Sequence, residues 1–173
     1  MKVKELLAEH TPADAREAGF VARMEALLSK GADAFSRDHF DPGHFTASSF
    51  VLSPDRDSVL LILHGKLGLW LQPGGHIDPD DTDVVAAARR EVAEEVGITN
   101  LQGGALLDVD IHAIPPLRGE PAHEHFDLRF CFYAPSLEFQ AGSDAKAARW
   151  VRLEDVGDAG SDGSVLRAVA KLR

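Results

Sequence analysis

The chain has 173 residues, 45% hydrophobic and 27% charged, which is enough apolar material for one well-buried core with an appendage. Its formal net charge of -10 argues against a broad nucleic-acid or anionic-membrane footprint, although a metal and a few local cations can still recruit a small polyphosphate. A single cysteine, Cys131, rules out an intrachain disulfide, no apolar run follows the first residues, and the longest aliphatic stretch is only residues 59–63; together these predict a cytoplasmic protein without a membrane span.

Residues 11–14, Thr-Pro-Ala-Asp, read as a helix N-cap with Pro12 at the first helical place. Phe20, Val21, Met24, Leu27 and Leu28 then recur at three- and four-residue steps until Gly31, an amphipathic helix. Leu6 and Leu7 suggest a shorter helix packed on it. These features predict a helical extension over residues 1–40, with a linker at 38–43 leading into a domain over residues 41–173. The apolar stripe of the extension either packs on its own chain, the preferred case, or pairs with a second subunit in a homodimer.

From His44 the period changes. Residues 45–52 and 58–63 read as strands joined by the turn-rich connector 53–57. Lys66 follows in a loop, where it is either solvated or able to reach a phosphate. A short strand at 69–71 leads into Pro73-Gly74-Gly75-His76, where two adjacent glycines allow a tight turn and close approach to a ligand. Next comes a helix ended by Gly97. At about 100° per residue its Val85, Ala88, Val92 and Val96 form a buried stripe, and Glu91, Glu94 and Glu95 form a second stripe beside it. Three carboxylates so close repel one another unless a cation sits among them. A hard divalent ion with a phosphate-containing substrate is one reading of that stripe; a solvated helix face balanced by Arg89 and Arg90 is the other. The glycine turn favours the first.

Further strands are predicted at 106–114, at 125–133 and around Val151, with a closing helix at 165–172. In the strand at 125–133, alternation places Phe126, Leu128, Phe130 and Phe132 on a core face and His123, His125, Asp127 and Arg129 on the other. That second face is either a solvated surface laced with ion pairs or a row of groups for phosphate, ribose or base; a metal site is weakly supported by His-X-His alone. The preceding proline-stiffened loop, residues 114–121, offers Arg118 to a phosphate.

The run Arg90-Glu91-Val92-Ala93-Glu94-Glu95-Val96-Gly97-Ile98 resembles the second half of the Nudix box at every fixed place, with Gly74-Gly75 where the box begins. The first half departs from the pattern, with Asp81 in place of Glu and one extra residue before Arg90. The resemblance covers roughly residues 44 to 157 and implies an α/β (α+β) fold, a Nudix-type α/β/α sandwich with a mixed sheet. It implies that Glu91, Glu94, Glu95 and the Gly74 carbonyl hold Mg²⁺ or Mn²⁺, and that Arg90 pairs with Asp81 to brace the loop. Asp81 could instead be a helix cap. For the general base the candidates are Glu94, Glu95 and Asp144, with Glu124 competing. Lys66, His76, Arg118, His123, His125, Asp127 and Arg129 are the candidate substrate-binding residues.

The expected activity is divalent-metal-dependent hydrolysis of a phosphoanhydride in a small nucleoside diphosphate derivative, with no long nucleic acid and no membrane as partner. Two alternatives keep the same fold. One is isomerisation of an isoprenoid diphosphate, which would want Cys131 at the reacting carbon; the other is a nucleotide-binding sensor without turnover, which the altered first half of the box leaves open.

Overall fold

Strand β1, Gly43–Leu52, is buried along its whole length and is the axis of the molecule. One edge of it pairs in parallel with β6, His123–Tyr133, from Gly43 opposite Glu124 to Leu52 opposite Tyr133. The other edge is shared. Near its C-terminal end it meets β2, Ser58–His64, and near its start it meets β4, Gly74–His76, both antiparallel. Strand β5, Gln102–Ile114, adds to β6, while β3, Trp70–Leu71, and β7, Ala145–Arg152, both pair with β2. Among the described residues the result is a mixed seven-stranded sheet. The computed structural model describes residues 3–65, 67–116, 119–140, 142 and 145–173, with only the backbone described at 145 and 146.

Alternation along β1 and β6 divides the apolar residues between two layers. Phe45, Ala47 and Val51 join Phe126, Leu128, Phe130 and Phe132 in a core that also takes Val84, Ala88, Val92 and Val96 of helix α3, Val84–Val96. Phe50, Leu52 and Cys131 face a second core, closed by Val165, Ala168 and Val169 of helix α4, Gly163–Ala170. The predicted α/β sandwich with a mixed sheet is the observed architecture.

Helices α1, Val3–Glu9, and α2, Ala15–Leu28, contribute Val3, Leu6, Leu7, Met24 and Leu27 to the first core, so the amphipathic stripe packs on its own chain. The start of α2 differs from the expectation. Asp14, rather than Thr11, is the N-cap, because its carboxylate accepts from the Glu17 amide at 2.8 Å, and Pro12 lies before the helix. Strand β5 starts four residues earlier than the apolar pattern suggests, since Gly103 pairs with Phe132 although glycines read as loop. Among the described residues no helix is long and apolar enough to cross a membrane.

Candidate active site

Helix α3 is fixed at both ends by local chemistry. Asp83 caps its start, accepting from the Val85 and Ala86 amides at 2.9 Å, and Gly97 ends it at φ 71° in the left-handed region. Asp81 is therefore not the cap. It lies one turn of loop earlier, where Arg90 Nε and Nη2 donate to its two carboxylate oxygens at 3.1 and 3.0 Å. The same guanidinium donates to the His76 carbonyl at 2.8 Å, to Glu91 at 2.9 Å and to Glu94 at 3.1 Å. One planar fork thus ties the glycine turn to the acidic stripe. The extra residue ahead of Arg90 is absorbed within the loop, and the pair it would have broken is intact.

The two glycines have separate reasons. A Cβ on Gly75 would stand 2.7–2.8 Å from the Glu91 carboxylate, so the bare backbone makes the cradle into which that carboxylate settles. Gly74 donates its amide to Glu95 Oε2 at 3.0 Å, and a Cβ there would come 2.4 Å from Ser48 Cβ across the β1–β4 pairing. Glu91 is 14% exposed and Glu94 58%, so the stripe runs from a half-sheltered inner acid to an outer one in water. Burial pushes the Glu91 carboxyl up, as do Glu94 and Asp78, against the pull of Arg90. An all-oxygen donor set, a seat with no Cβ in it and an acid raised by its neighbours fit a hard divalent cation.

Behind the turn lies the other face of β1, β5 and β6. Register sets His44 beside His125, His112 on the far side of His125, and His76 across from Thr46. The rings of His44, His76, His123 and His125 pack at centroid distances of 4.8–5.3 Å, with His112 at 5.4 Å from His125. Burial first, then the neighbouring imidazoles, pushes His76 down to about 4 and His125 down to about 2, and burial also lowers His44. His76 and His125 are therefore neutral at pH 7.

Further along this face the charges are used internally. Arg129 is 2% exposed and donates to Asp127 at 3.0 Å, to Asp108 and Asp110 at 3.3 Å each, and to Ser164 of α4 at 3.0 and 3.1 Å. Asp127 also accepts from Thr46 and Ser48. Arg167 and Lys171 close the cluster on Asp108.

A family model described as the NUDIX domain matches residues 43–169. This chain belongs to the Nudix family. Among solved structures, a NUDIX-family hydrolase from Clostridium perfringens is 27% identical, with a TM-score of 0.57 over 75% of this chain and 95% of that one. A MutT NUDIX hydrolase from Burkholderia pseudomallei is 24% identical at a TM-score of 0.59, over 75% and 97%. The E. coli dihydroneopterin triphosphate pyrophosphohydrolase is 19% identical at 0.58, over 73% and 92%. No curated protein matches the chain.

In this Nudix protein the candidate site residues fall into three groups. Gly74, His76, Arg90, Glu91, Glu94 and Glu95 come together at the turn. His123 and His125 join His76 through the sheet, whereas Asp127 and Arg129 are spent on knitting β1, β5 and β6 to α4 and are not offered to a ligand. That face is neither solvated nor a uniform binding row, because Asp108, Asp110 and Ser164 were invisible as its partners until register and α4 placed them. Lys66, Arg118 and Asp144 lie outside the described residues. Glu124 points to the other side of β6, where Arg23 of α2 pairs with it. Cys131 is buried in the second core and burial pushes its thiol up, so it is not presented as a cleft nucleophile. His44 and His112 were not singled out in the sequence, although His44 stands immediately before the first predicted strand.

Proposed function

We propose that this Nudix hydrolase cleaves a phosphoanhydride bond in a small nucleoside diphosphate derivative with the help of Mg²⁺ or Mn²⁺, in the cytoplasm. The observation that carries the reading is the seating of Glu91 against the Cβ-free face of Gly75, with Glu95 held on the Gly74 amide and Arg90 bracing the loop to the helix. Glu91, Glu94, Glu95 and the Gly74 carbonyl would hold the ion. When bound, such an ion polarises a phosphoryl oxygen and lowers the pKa of water.

The chain's own groups have distinct tasks. Arg90 fixes the spacing of the acids, which positions the substrate's reacting phosphate. Glu94, the outermost of the three, is free enough of the protein interior to accept a proton from the attacking water, with Asp144 of the loop before β7 as the second candidate. His76, His123 and His125, with Lys66 and Arg118, are the candidate contacts for the rest of the substrate. Residues 1–40 act as an extension that supports the domain at 41–173, and a homodimer is compatible with this arrangement.

A panel of nucleoside diphosphate derivatives, incubated with purified protein and Mg²⁺, tests the reading. At least one member should release a nucleoside monophosphate. Glu94→Gln and Glu95→Gln should each remove most of that release while circular dichroism stays unchanged; full activity in both variants would sink the assignment.

A further inference from the structure

We propose that His44, His123 and His125 form a second metal site, one that takes a borderline transition-metal cation of the Zn²⁺ class rather than the hard ion suited to the carboxylates. One ring nitrogen from each of the three lies within 4.8 Å of the others. The site is assembled by pairing, since His44 sits directly across from His125 in the parallel β1–β6 register and His123 lies two residues before it on the same face.

Tautomers are set from outside the cluster. Nδ1 of His44 lies 3.1 Å from the His39 carbonyl and Nδ1 of His123 lies 2.9 Å from the Pro121 carbonyl. A carbonyl only accepts, so each Nδ1 carries the hydrogen and each Nε2 carries a lone pair. This anchoring of one ring nitrogen on a backbone oxygen is how protein zinc ligands are usually held. Nε2 of His123 and Nε2 of His125 stand 3.3 Å apart. Two imidazole nitrogens on one tetrahedral zinc, each at 2.0–2.1 Å, are about 3.3 Å apart.

His44 supplies the observation that packing alone does not explain. Its Nε2 is buried and, among the described residues, has no hydrogen-bond partner. An unsatisfied buried acceptor costs about 1–3 kcal/mol. A histidine kept only for packing could be replaced by an apolar ring without that cost, whereas a cation takes up the lone pairs of all three rings together. Three imidazoles with no carboxylate among them select Zn²⁺, Cu²⁺, Ni²⁺ or Fe²⁺ over Mg²⁺. A three-histidine set also leaves a fourth position, as zinc sites that bind water or substrate do. His76 packs on both His44 and His125 and directly follows Gly75, so the site adjoins the carboxylate cradle. An open groove lined by Phe40, Pro42, Ile114, Ala122 and His123 gives an entry path.

The full chain, stripped of metal with a chelator and then saturated with Mg²⁺, should bind one equivalent of Zn²⁺ in competition with a chromophoric chelator. Co²⁺ in its place should show the intense visible bands of a four-coordinate, nitrogen-ligated ion. His123→Gln and His125→Gln should each weaken Zn²⁺ binding by about tenfold or more, the scale seen when even a supporting partner of a ligand is lost. Glu94→Gln should leave Zn²⁺ affinity unchanged, and His44→Gln adds a third ligand test if its far-ultraviolet spectrum matches the parent. Absence of Zn²⁺ uptake in excess Mg²⁺, uptake that survives the His123→Gln/His125→Gln double variant, or the weak spectrum of six-coordinate Co²⁺ would overturn the proposal. Zn²⁺ uptake without turnover of any nucleotide would count against the hydrolase reading alone.

Discussion

Arg90 holds both carboxylate oxygens of Asp81, at 3.1 and 3.0 Å, from the same guanidinium that reaches Glu91 and Glu94. The acid in the loop therefore sets where the helix acids stand. Asp81→Ala should lower kcat about 10²-fold through misplacement of the acids. Its cost in folding free energy should be about 1.5–3 kcal/mol, as for a hydrogen bond to a charged group. The Asp81→Ala/Arg90→Lys double variant should be little worse than either single one, since both break one unit. Steady-state kinetics and urea melts on the three proteins check this; additive losses would separate Asp81 from the site.

The neighbouring glycines should fail in different ways. In Gly75→Ala the new methyl meets only the end of the Glu91 side chain, which can swing aside, so the fold survives while activity falls about 10²-fold. In Gly74→Ala it meets Ser48 Cβ and backbone at 2.4–2.8 Å, inside a paired strand, and overpacking of that kind costs about 1–3 kcal/mol. Thermal melts and activity measured side by side should show a kinetic defect without a stability defect only in Gly75→Ala.

Glu17 is the acid that pins the extension to α4. It is fully buried and accepts from Lys171 at 2.5 Å, from the Ala13 amide at 2.7 Å and from His10 at 2.8 Å. Burial alone would raise its carboxyl, but Lys171, Ala13 and His10 outweigh it and lower the group from 4.5 to about 2. Because the folded value lies below the unfolded one, its contribution is complete above pH about 4.5 and is lost as pH falls toward about 2. Glu17→Gln should cost about 3–5 kcal/mol at pH 7, as a broken buried pair does. The gap between parent and variant should then narrow on acidification through that window. Denaturant melts at stepped pH test it, and a pH-independent gap would mean that the carboxylate's charge is not what matters.

Cys131 should be dispensable for chemistry. Its thiol is buried in the second core, so Cys131→Ala should leave nucleotide turnover and pH profile unchanged, at a stability cost of about 1 kcal/mol. Loss of activity in a folded Cys131→Ala protein would reopen the isomerase chemistry.

Local rules made part of this protein legible in sequence. The stripe of Val92 and Val96, the three glutamates beside it and the left-handed cap at Gly97 follow from helix periodicity and from glycine's freedom at positive φ, and both act within a few residues. Period-two alternation likewise separated Phe126, Leu128 and Phe130 from His125, Asp127 and Arg129. Tertiary structure alone decided what the second face is for. Strand register brought His44, 79 residues from His123, into its ring cluster, and put Asp108 and Asp110 against Arg129. It also decided between Asp81 and Asp83, two acids equally suited to a helix start, because only the folded loop shows which one reaches Arg90 and which one reaches the free amides. Such contacts depend on which strands become neighbours, a choice made by the burial of both faces of β1 and not by any residue's own sequence surroundings.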